Sequence, residues 1–353
     1  MSRKLKVIIF YGGFKFVVGG VNSHASSLKL GMQLIGHEAT LITLDNLPGP
    51  IKYLPHAIEK IINLIFFPMG YIYKGISTKL LFKLFFGRRD SDYLIFEDVY
   101  LSWNSSTPSV SIMHAVWSDN LQAFQVTSKQ LSSLKEKEID TIHNIDHPVV
   151  TVSEPYLDFL INEHFNGALN KKIFSVPLGI DQSAFKKIST PKSLYTIVYT
   201  GALEARKNTL LLLEVFKMLH ARNPLYSLTI IGDGPDRQKV EQFINKFKLP
   251  VKMMGRIPHD QVIEELLTHE LYIHTSTKES FSYALLEAKL AGLKTFAYAG
   301  LQVPAEFIDI KIDNFEIKNW FDAIIHHHGA PMEINKNQYT INRMVEDTLE
   351  IGK

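Results

Sequence analysis

Two glutamates, Glu279 and Glu287, lie eight residues apart where a predicted strand is followed by a helix. Either Ser280 or Ser282 can cap that helix, and the free backbone N–H groups at a helix N-terminus bind anions such as a diphosphate. If the whole interval were helical, the two carboxylates would lie about 12 Å apart along the axis. One carboxylate can then bind hydroxyl groups of a sugar and the other those of a ribose. Two solvent-facing glutamates on an amphipathic helix remain the alternative interpretation.

A pair of cations and a pair of glycines have the chemistry to hold such a diphosphate. Arg206 and Lys207 come just after the strand predicted over 195–200, and Gly19 and Gly20 open the first predicted helix. Glycine lets a phosphate approach the backbone because it has no Cβ. A solvated charge for Arg206 and a simple turn for the glycines remain open as alternatives.

The elements that must position these residues form two α/β units. The first 44 residues predict strand, glycine turn, helix and strand, and the same alternation returns between 195 and 297. This order is typical of doubly wound parallel sheets. We therefore predict an α/β fold with two Rossmann-like domains, 1–178 and 179–335, and a C-terminal helix in 336–353 that packs back on the N-terminal domain. Ligands of such folds bind at the carboxyl ends of strands, so we expect the site in a cleft between the domains.

Composition narrows the class of protein and the partners. The 353 residues contain no cysteine, which excludes disulfide frameworks and thiolate sites and fits a reducing compartment. A formal net charge of +2 does not call for nucleic acid as a partner. No apolar run reaches the roughly 18 residues that span a bilayer, and the run at 7–11 is too short for a signal peptide. We expect a cytoplasmic protein that binds no nucleic acid.

The Glu-x7-Glu spacing in this setting resembles the retaining glycosyltransferases of family 4, which have the GT-B fold of two Rossmann-like domains facing across a cleft. Further segments match that family's motifs in the expected order, and the resemblance extends over residues 6–308. The matching segments are 19–21, 36–41, 151–154, 176–181, 201–207, 230–235, 254–256 and 279–292.

The resemblance implies a catalytic group of three residues. Glu279 would contact the transferred sugar, and Lys207 would hold the donor phosphates. His114, which follows a predicted strand, would face the donor sugar. A purely structural histidine is the alternative for His114.

The resemblance implies that 1–178 is the acceptor-side domain and that 179–335 is the nucleotide-sugar-binding domain. A wider set of residues is implied to bind the donor. Glu287 would bind the ribose, and the backbone at Gly255 and Arg256 would lie against the base. The full set is Gly19, Gly20, Arg206, Lys207, Gly255, Arg256, Ser280, Phe281, Ser282 and Glu287.

Four positions depart from the family's pattern. Ala202 and Asn208 stand where the family often has arginine and glycine, and Ser280 and Ser282 replace glycines. Arg206 would then take the place of the missing arginine. Because the two serine side chains narrow the sugar pocket, the donor is expected to be unusual.

The segment Asp90-Ser91-Asp92 has the Asp-x-Asp pattern of metal-dependent transferases with a single nucleotide-binding domain. Hard carboxylates suit Mg²⁺ or Mn²⁺. However, this pattern lies in the first half of the chain, and nothing else fits that fold. We therefore expect no metal and no cofactor, with the nucleotide-sugar as a substrate.

Basic and apolar side chains are interleaved over 51–89, where Glu59 is the only carboxylate. Such a segment suits the surface of an anionic membrane. We expect it to hold the enzyme on the inner face of the plasma membrane, where a lipid-linked glycan is the acceptor. Buried core helices with their lysines outward are the alternative.

These patterns predict a retaining, hexosyl-type glycosyltransferase that uses a nucleotide diphosphate sugar. A UDP-sugar is favoured because it is common in the family, and the acceptor hydroxyl belongs to a glycan or lipid-linked glycan in surface polysaccharide or glycoconjugate synthesis. A nucleotide-sugar epimerase, an inverting transferase and a non-catalytic sugar-binding relative remain open. A dinucleotide-dependent oxidoreductase is disfavoured because Gly12-Gly13 and Gly19-Gly20 do not form G-x-G-x-x-G.

Overall fold

The chain folds into two compact α/β units. Unit 1 comprises residues 1–180 and 337–353, and unit 2 comprises residues 181–336. The computed structural model describes residues 3–15, 19–121, 126–186, 192–327 and 329–352.

Unit 1 contains a six-stranded sheet in which all neighbouring strands are parallel. Parallel sheets are buried on both faces, so their strands are continuous apolar runs. All four residues of Tyr93–Phe96 are accordingly buried. The strands are β1 (Lys6–Phe10), β2 (Glu38–Ile42), β3 (Tyr93–Phe96), β4 (Ser109–Met113), β5 (Val149–Thr151) and β6 (Ile173–Ser175), in the spatial order β2-β1-β3-β4-β5-β6.

The helices of unit 1 begin and end at residues with the expected local chemistry. The chain leaves the first helix through Gly36, whose φ of +91° suits glycine. The fifth begins after Thr127, whose side chain forms a capping box with Gln130. These helices are α1 (Gly20–Leu34), α2 (Leu54–Phe66), α3 (Gly70–Phe86), α4 (Trp117–Asn120), α5 (Ser128–His143) and α6 (Glu154–Asp158).

Unit 2 repeats the architecture with a second six-stranded parallel sheet, and the prediction of an α/β fold with two parallel sheets is confirmed. Its strands are β7 (Thr196–Thr200), β8 (Ser227–Ile231), β9 (Val251–Gly255), β10 (Leu271–His274), β11 (Lys294–Tyr298) and β12 (Ile310–Ile312), in the order β12-β11-β10-β7-β8-β9. Its helices are α7 (Thr209–Arg222), α8 (Arg237–Phe247), α9 (His259–Thr268), α10 (Tyr283–Leu290) and α11 (Ile317–Ile325).

The C-terminal helix α12 (Ile341–Ile351) packs on α1 in unit 1. A Cβ added to Gly31 would lie 2.4 Å from the side chain of Ile341 and 2.6 Å from that of Val345. Side chains of α12 therefore pack directly against the backbone of α1. Tyr93 also donates a hydrogen bond to the carbonyl of Thr348 at 2.9 Å. Among the described helices, none combines the length and the apolar character that crossing a bilayer requires.

Strand order decides which loops meet in each unit, because the carboxyl ends of neighbouring parallel strands share one edge of the sheet. In unit 2, β7 and β10 are neighbours, and Lys207 and Glu279 follow them. In unit 1, β3 and β4 are neighbours, and Glu97 and His114 follow them directly. Each unit therefore gathers polar residues at one edge of its sheet.

Candidate active site

A cluster of charged side chains surrounds Glu279 in unit 2. The Nζ atom of Lys207 donates a hydrogen bond to Oε1 of Glu279, and Nε2 of His274 lies 3.2 Å from the same oxygen. The other carboxylate oxygen lies 3.4 Å from Nη1 of Arg206. The structure therefore brings together three residues selected from the sequence, Arg206, Lys207 and Glu279, and adds His274.

Backbone contacts hold the two loops of this cluster together. The hydroxyl of Thr275 donates to the carbonyl of Lys207 at 2.9 Å, and the N–H of Thr277 donates to the carbonyl of Arg206 at 2.9 Å. The guanidinium of Arg206 donates in turn to the carbonyl of Lys278 at 2.8 Å. The cations are thus fixed relative to Glu279 by their loops as well as by their charges.

Glu279 stays ionised in these surroundings. Burial by itself raises the pKa of its carboxyl, but the charge of Lys207 and the hydrogen bond from His274, together with the charge of Arg206, hold that pKa well below its usual range. Burial lowers the pKa of His274 and outweighs the opposite effect of Glu279. At neutral pH a neutral His274 therefore donates to Glu279, and Arg206 also pairs with Glu204 at 3.0 Å, so the two cations of the cluster face two carboxylates.

The helix that carries Glu287 begins after one of the two serines that the sequence offered as its cap. It covers Tyr283–Leu290, so Glu279 lies in the preceding loop and the separation of about 12 Å that a fully helical interval would give does not apply. Ser282 has a left-handed φ of 72°, and its side chain accepts a hydrogen bond from a backbone N–H of the first turn at 3.3 Å. Ser282 rather than Ser280 therefore caps the helix.

Glu287 has a partner that the sequence did not reveal. Its Oε1 lies 2.8 Å from Nε2 of His259, the first residue of α9, and its side chain is largely buried. The hydrogen bond to Glu287 raises the pKa of His259. An imidazole of this kind orients the carboxylate and leaves its second oxygen available to a ligand hydroxyl.

The loop between the two glutamates is anchored by an aromatic side chain. The ring of Phe281 is buried and packs edge to face against Tyr283 at 5.7 Å and Phe307 at 5.3 Å. Phe281 can therefore contact a nucleotide-sugar only through its backbone. Ser280 beside it is half-buried, so its side chain is partly accessible.

Gly255 and Arg256 differ in what the fold requires of them. Gly255 ends β9 with a φ of 65°, which favours glycine, and its carbonyl accepts a hydrogen bond from the N–H of Gly232 at 2.8 Å. Its conformation explains the residue without any ligand. Arg256 is exposed and forms no ion pair within the described ranges.

Gly19 and Gly20 behave differently from Gly255. Helix α1 begins at Gly20 with no side-chain cap. A Cβ on either glycine would meet nothing within 4 Å among the described atoms, so packing does not require glycine here. Close approach by a ligand at this helix N-terminus stays a prediction.

In unit 1, Glu97 links two histidines. Its Oε2 lies 2.8 Å from Nδ1 of His24 and 2.8 Å from Nε2 of His114. Burial raises the pKa of Glu97, but the charge of His24 and the hydrogen bonds from both imidazoles bring it down to about 2. Because an ionised carboxylate only accepts hydrogen bonds, both imidazole nitrogens that face it carry a proton.

Glu97 and its two histidines are also of the types that hold a transition metal. Their ligand atoms lie within 4.8 Å of one another, and no other such group of three was found in the described part of the chain. The carboxylates of the Asp-x-Asp segment are instead paired with cations. Asp90 lies 2.6 Å from Lys6, and Asp92 lies 2.7 Å from Arg3.

Comparison with known proteins gives a match that lies within unit 2. Residues 181–319 match the model of the family described as Glycosyl transferases group 1. A phosphatidylinositol N-acetylglucosaminyltransferase subunit of Arabidopsis thaliana is 34% identical over 134 residues, which are 37% of this chain and 30% of that protein. The gpi3 subunit of the same transferase from Schizosaccharomyces pombe is 25% identical over 293 residues, 78% of this chain and 62% of that protein.

A solved structure with the same fold covers the whole chain. The glycosyltransferase from Rickettsia africae superposes with a TM-score of 0.68 at 14% identity, over 99% of this chain and 98% of that one. The prediction of a GT-B type α/β fold is therefore confirmed. The matches to the family model and to the two relatives support a glycosyltransferase, although the chain spans only 30% and 62% of the relatives' lengths.

Proposed function

We propose that this protein is a retaining glycosyltransferase that transfers a hexosyl residue from a UDP-sugar to a hydroxyl of a glycan or lipid-linked acceptor. The observation that carries the proposal is the contact of Arg206 and Lys207 with Glu279, in the part of the chain that matches the family model. A carboxylate beside two cations suits the bond between sugar and diphosphate, where hydroxyl groups and phosphate oxygens must be bound side by side.

The leaving diphosphate gains negative charge as the glycosidic bond breaks, and fixed cations stabilise that charge. A lysine ammonium has three N–H donors, so Lys207 can hold Glu279 and a phosphate oxygen at once. Glu279 then accepts hydrogen bonds from sugar hydroxyls, and Glu287, oriented by His259, binds the ribose. The acceptor hydroxyl attacks from the face that the diphosphate leaves and gives its proton to the donor phosphate, so the anomeric configuration is retained.

The names of the two relatives suggest N-acetylglucosamine as the sugar and a phosphatidylinositol lipid as the acceptor. A lipid acceptor fits the surface of α2 and α3, which we call the lipid-facing surface. Leu64 is 86% exposed and Leu84 is 76% exposed. The surface consists of Tyr53, Leu54, Ile61, Leu64, Ile65, Phe66, Tyr73, Ile76, Leu80, Leu84 and Phe85, all of them exposed.

The positive charge of the lipid-facing surface favours an anionic membrane as its partner. Lysines and arginines accompany its apolar side chains through 52–89, where Glu59 is the only carboxylate, and Glu59 itself lies 3.1 Å from Lys74. Apolar side chains interleaved with cations along the chain match the headgroup region of an anionic bilayer. Core packing explains the buried apolar residues of α3, such as Ile72 and Phe82, but not its exposed ones. We therefore propose peripheral binding to the cytoplasmic leaflet, with no nucleic acid as partner.

A two-step experiment tests the proposed function. Thermal shifts with UDP, GDP and ADP identify the base, and incubation with the matching sugars and phosphatidylinositol vesicles then tests transfer. We expect UDP to stabilise the protein and UDP-N-acetylglucosamine to give an α-linked product, whose configuration NMR determines. A β-linked product, an epimerised sugar nucleotide or nucleotide binding without turnover would each replace this proposal with one of its rivals.

A further inference from the structure

Two histidines and a glutamate from three separate segments meet in unit 1. Nδ1 of His24 lies 2.8 Å from Oε2 of Glu97, and Nε2 of His114 lies 2.8 Å from the same oxygen. His24 belongs to α1, whereas Glu97 and His114 directly follow β3 and β4. The fold therefore brings two imidazole nitrogens and one carboxylate oxygen within 4.8 Å of one another.

The spacing of these atoms suits the ligands of a single metal ion. Nitrogen and oxygen ligands bind zinc at about 2.0–2.1 Å, so two ligands at right angles around one ion lie about 3 Å apart. Both distances of 2.8 Å from Glu97 are close to that value. A small outward movement of the imidazoles would therefore make room for an ion where the two hydrogen bonds now lie.

The carboxylate of Glu97 has no lysine or arginine beside it. Its side chain has no exposed surface, and the side chains of His24 and His114 are 2% and 14% exposed. Within the described ranges, the only ion-pair partners of Glu97 are these two histidines. Buried charges in proteins are paired with an opposite charge or coordinate a metal. A divalent cation between the three side chains would supply the charge that no lysine or arginine supplies.

The second oxygen of the same carboxylate is left without a contact. Oε1 of Glu97 is buried and has no hydrogen-bond partner among the described residues, although buried polar atoms nearly always have one. The neighbouring Asp98 differs, because its carboxylate accepts hydrogen bonds from the hydroxyl of Tyr71 at 2.7 Å and from the N–H of Tyr100 at 2.9 Å. The unfilled acceptor thus belongs to the carboxylate that the two histidines face.

The chemistry of the donor set selects the class of ion. Two imidazoles and one carboxylate are typical of transition-metal sites, whereas Mg²⁺ and Ca²⁺ prefer oxygen ligands alone. Glu97 and His114 also line a cavity of about 340 Å³, so water can fill the remaining coordination positions of an ion. A transition metal therefore fits this group better than the hard cations do.

We propose that His24, Glu97 and His114 bind one divalent transition-metal ion, of which Zn²⁺ is the example used to test the site. The ion takes the place of the two protons that face Glu97, and each imidazole then carries its proton on the other ring nitrogen. The expectation of no metal concerned the Asp-x-Asp segment, which contributes nothing here. The proposal is independent of the proposed function, whose steps use groups of unit 2.

Equilibrium dialysis of the full chain against Zn²⁺ tests the site, with bound metal measured by mass spectrometry after EDTA has removed any metal already present. We expect one tightly bound Zn²⁺ per chain and no comparable binding of Mg²⁺. Glu97→Gln removes the charge at nearly constant shape, and His114→Gln removes one imidazole. Each should weaken Zn²⁺ binding by more than about a hundredfold, since even changes outside the ligand shell cost about 10–100-fold.

The matched control is His326→Gln, which alters an exposed histidine in the run of three at 326–328. It should bind Zn²⁺ as the parent does. The ¹⁵N spectrum of the imidazoles in the parent chain gives a readout that needs no variant to fold. Zn²⁺ should remove the protons from Nδ1 of His24 and Nε2 of His114 and leave His326 unchanged.

Three results would overturn the proposal. The first is the absence of stoichiometric Zn²⁺, and the second is loss of the bound Zn²⁺ in His326→Gln, which would indicate adventitious binding at the surface. The third is a ¹⁵N spectrum in which Zn²⁺ leaves the imidazoles of His24 and His114 unchanged. Transferase activity enters none of these measurements, so failure of the metal site and failure of the proposed function are distinguishable.

Discussion

Lys207 and Glu279, 72 residues apart in the chain, form an ion pair at the carboxyl ends of two neighbouring strands of unit 2. Each side chain is about nine-tenths buried, with 14% and 11% of its surface exposed. Partial burial strengthens the attraction because water screens it less. The pair thus places one positive and one negative group in contact, as the proposed binding of phosphate and sugar side by side requires.

Replacing Lys207 with alanine should lower turnover by a factor of about 10²–10³, because one fixed cation opposite the leaving phosphate is lost. Arg206 and His274 continue to face Glu279, so the melting temperature should change much less than the rate. Lys239→Ala, which removes an exposed lysine of α8, is the control and should keep full activity. Undiminished turnover in Lys207→Ala would remove Lys207 from the phosphate site.

Replacing Glu287 with glutamine should weaken binding of UDP about tenfold, since a neutral amide accepts ribose hydroxyls less strongly. The effect should appear in KM for the donor, with kcat little changed, because Glu287 is expected to lie away from the reacting bond. Glu264→Gln, an exposed change on α9, serves as the control. Loss of kcat at unchanged KM would instead assign Glu287 to the chemical step.

A pH-dependent stability effect is expected from Glu138, a buried residue of α5. Burial raises its pKa from 4.5 to about 7, although hydrogen bonds from the hydroxyl and backbone of Ser118 and from Tyr100 oppose the change. The native state keeps this proton up to about pH 7, whereas the unfolded chain releases it near pH 4.5. Stability must therefore fall as pH rises through that window, by about 3 kcal/mol in all.

Urea unfolding of the parent and of Glu138→Gln between pH 4.5 and 8 measures this effect. The variant lacks the titrating group, so the parent should lose stability relative to it as pH rises. Glu136→Gln, an exposed change on the same helix, should follow the parent. Parallel pH profiles for the parent and Glu138→Gln would contradict the assignment.

Membrane binding should depend on the two most exposed leucines of the lipid-facing surface. Leu64→Glu and Leu84→Glu each place a charge where we expect an apolar contact, and both should reduce co-sedimentation with anionic vesicles severalfold. Leu225→Glu alters a leucine of unit 2 that is 69% exposed and is the control. Equal sedimentation of all three variants, or equal binding to neutral vesicles, would argue against a basic lipid-binding surface.

The sequence predicted the fold well because its signals are local. Apolar runs that end in glycine, each followed by a helical period, indicate parallel βαβ units wherever they occur. The grouping of Lys207 with Glu279 was also predictable in outline, since residues that follow parallel strands gather at one sheet edge. The choice between Ser280 and Ser282 as the cap was left open by the sequence, because the left-handed backbone of Ser282 lies in a segment with ordinary helical spacing.

The partners of the site residues were beyond the sequence for a physical reason. His274 is the last residue of a buried strand. A histidine that served only core packing would have the same kind of neighbours in sequence, so the sequence does not distinguish the two roles. Glu97, His24 and His114 come from three separate segments that only the order of β1, β3 and β4 brings together. Such contacts depend on sheet order, and no local spacing encodes it.

A buried ion pair in unit 2 allows a test of what stabilises this fold. Lys289 of α10 lies 2.7 Å from Asp309, and both side chains are almost wholly buried. Asp309 also accepts a hydrogen bond from the N–H of Thr295 at 2.8 Å.

Replacing Lys289 with methionine leaves that carboxylate buried without its cation and should cost about 3–5 kcal/mol of unfolding free energy, measured by urea denaturation. Adding Asp309→Asn should recover part of the loss because the uncompensated charge is removed. The control Lys252→Met breaks an exposed pair and should change stability little. A double variant less stable than Lys289→Met would show that the hydrogen bonds of Asp309, rather than its charge, stabilise this region.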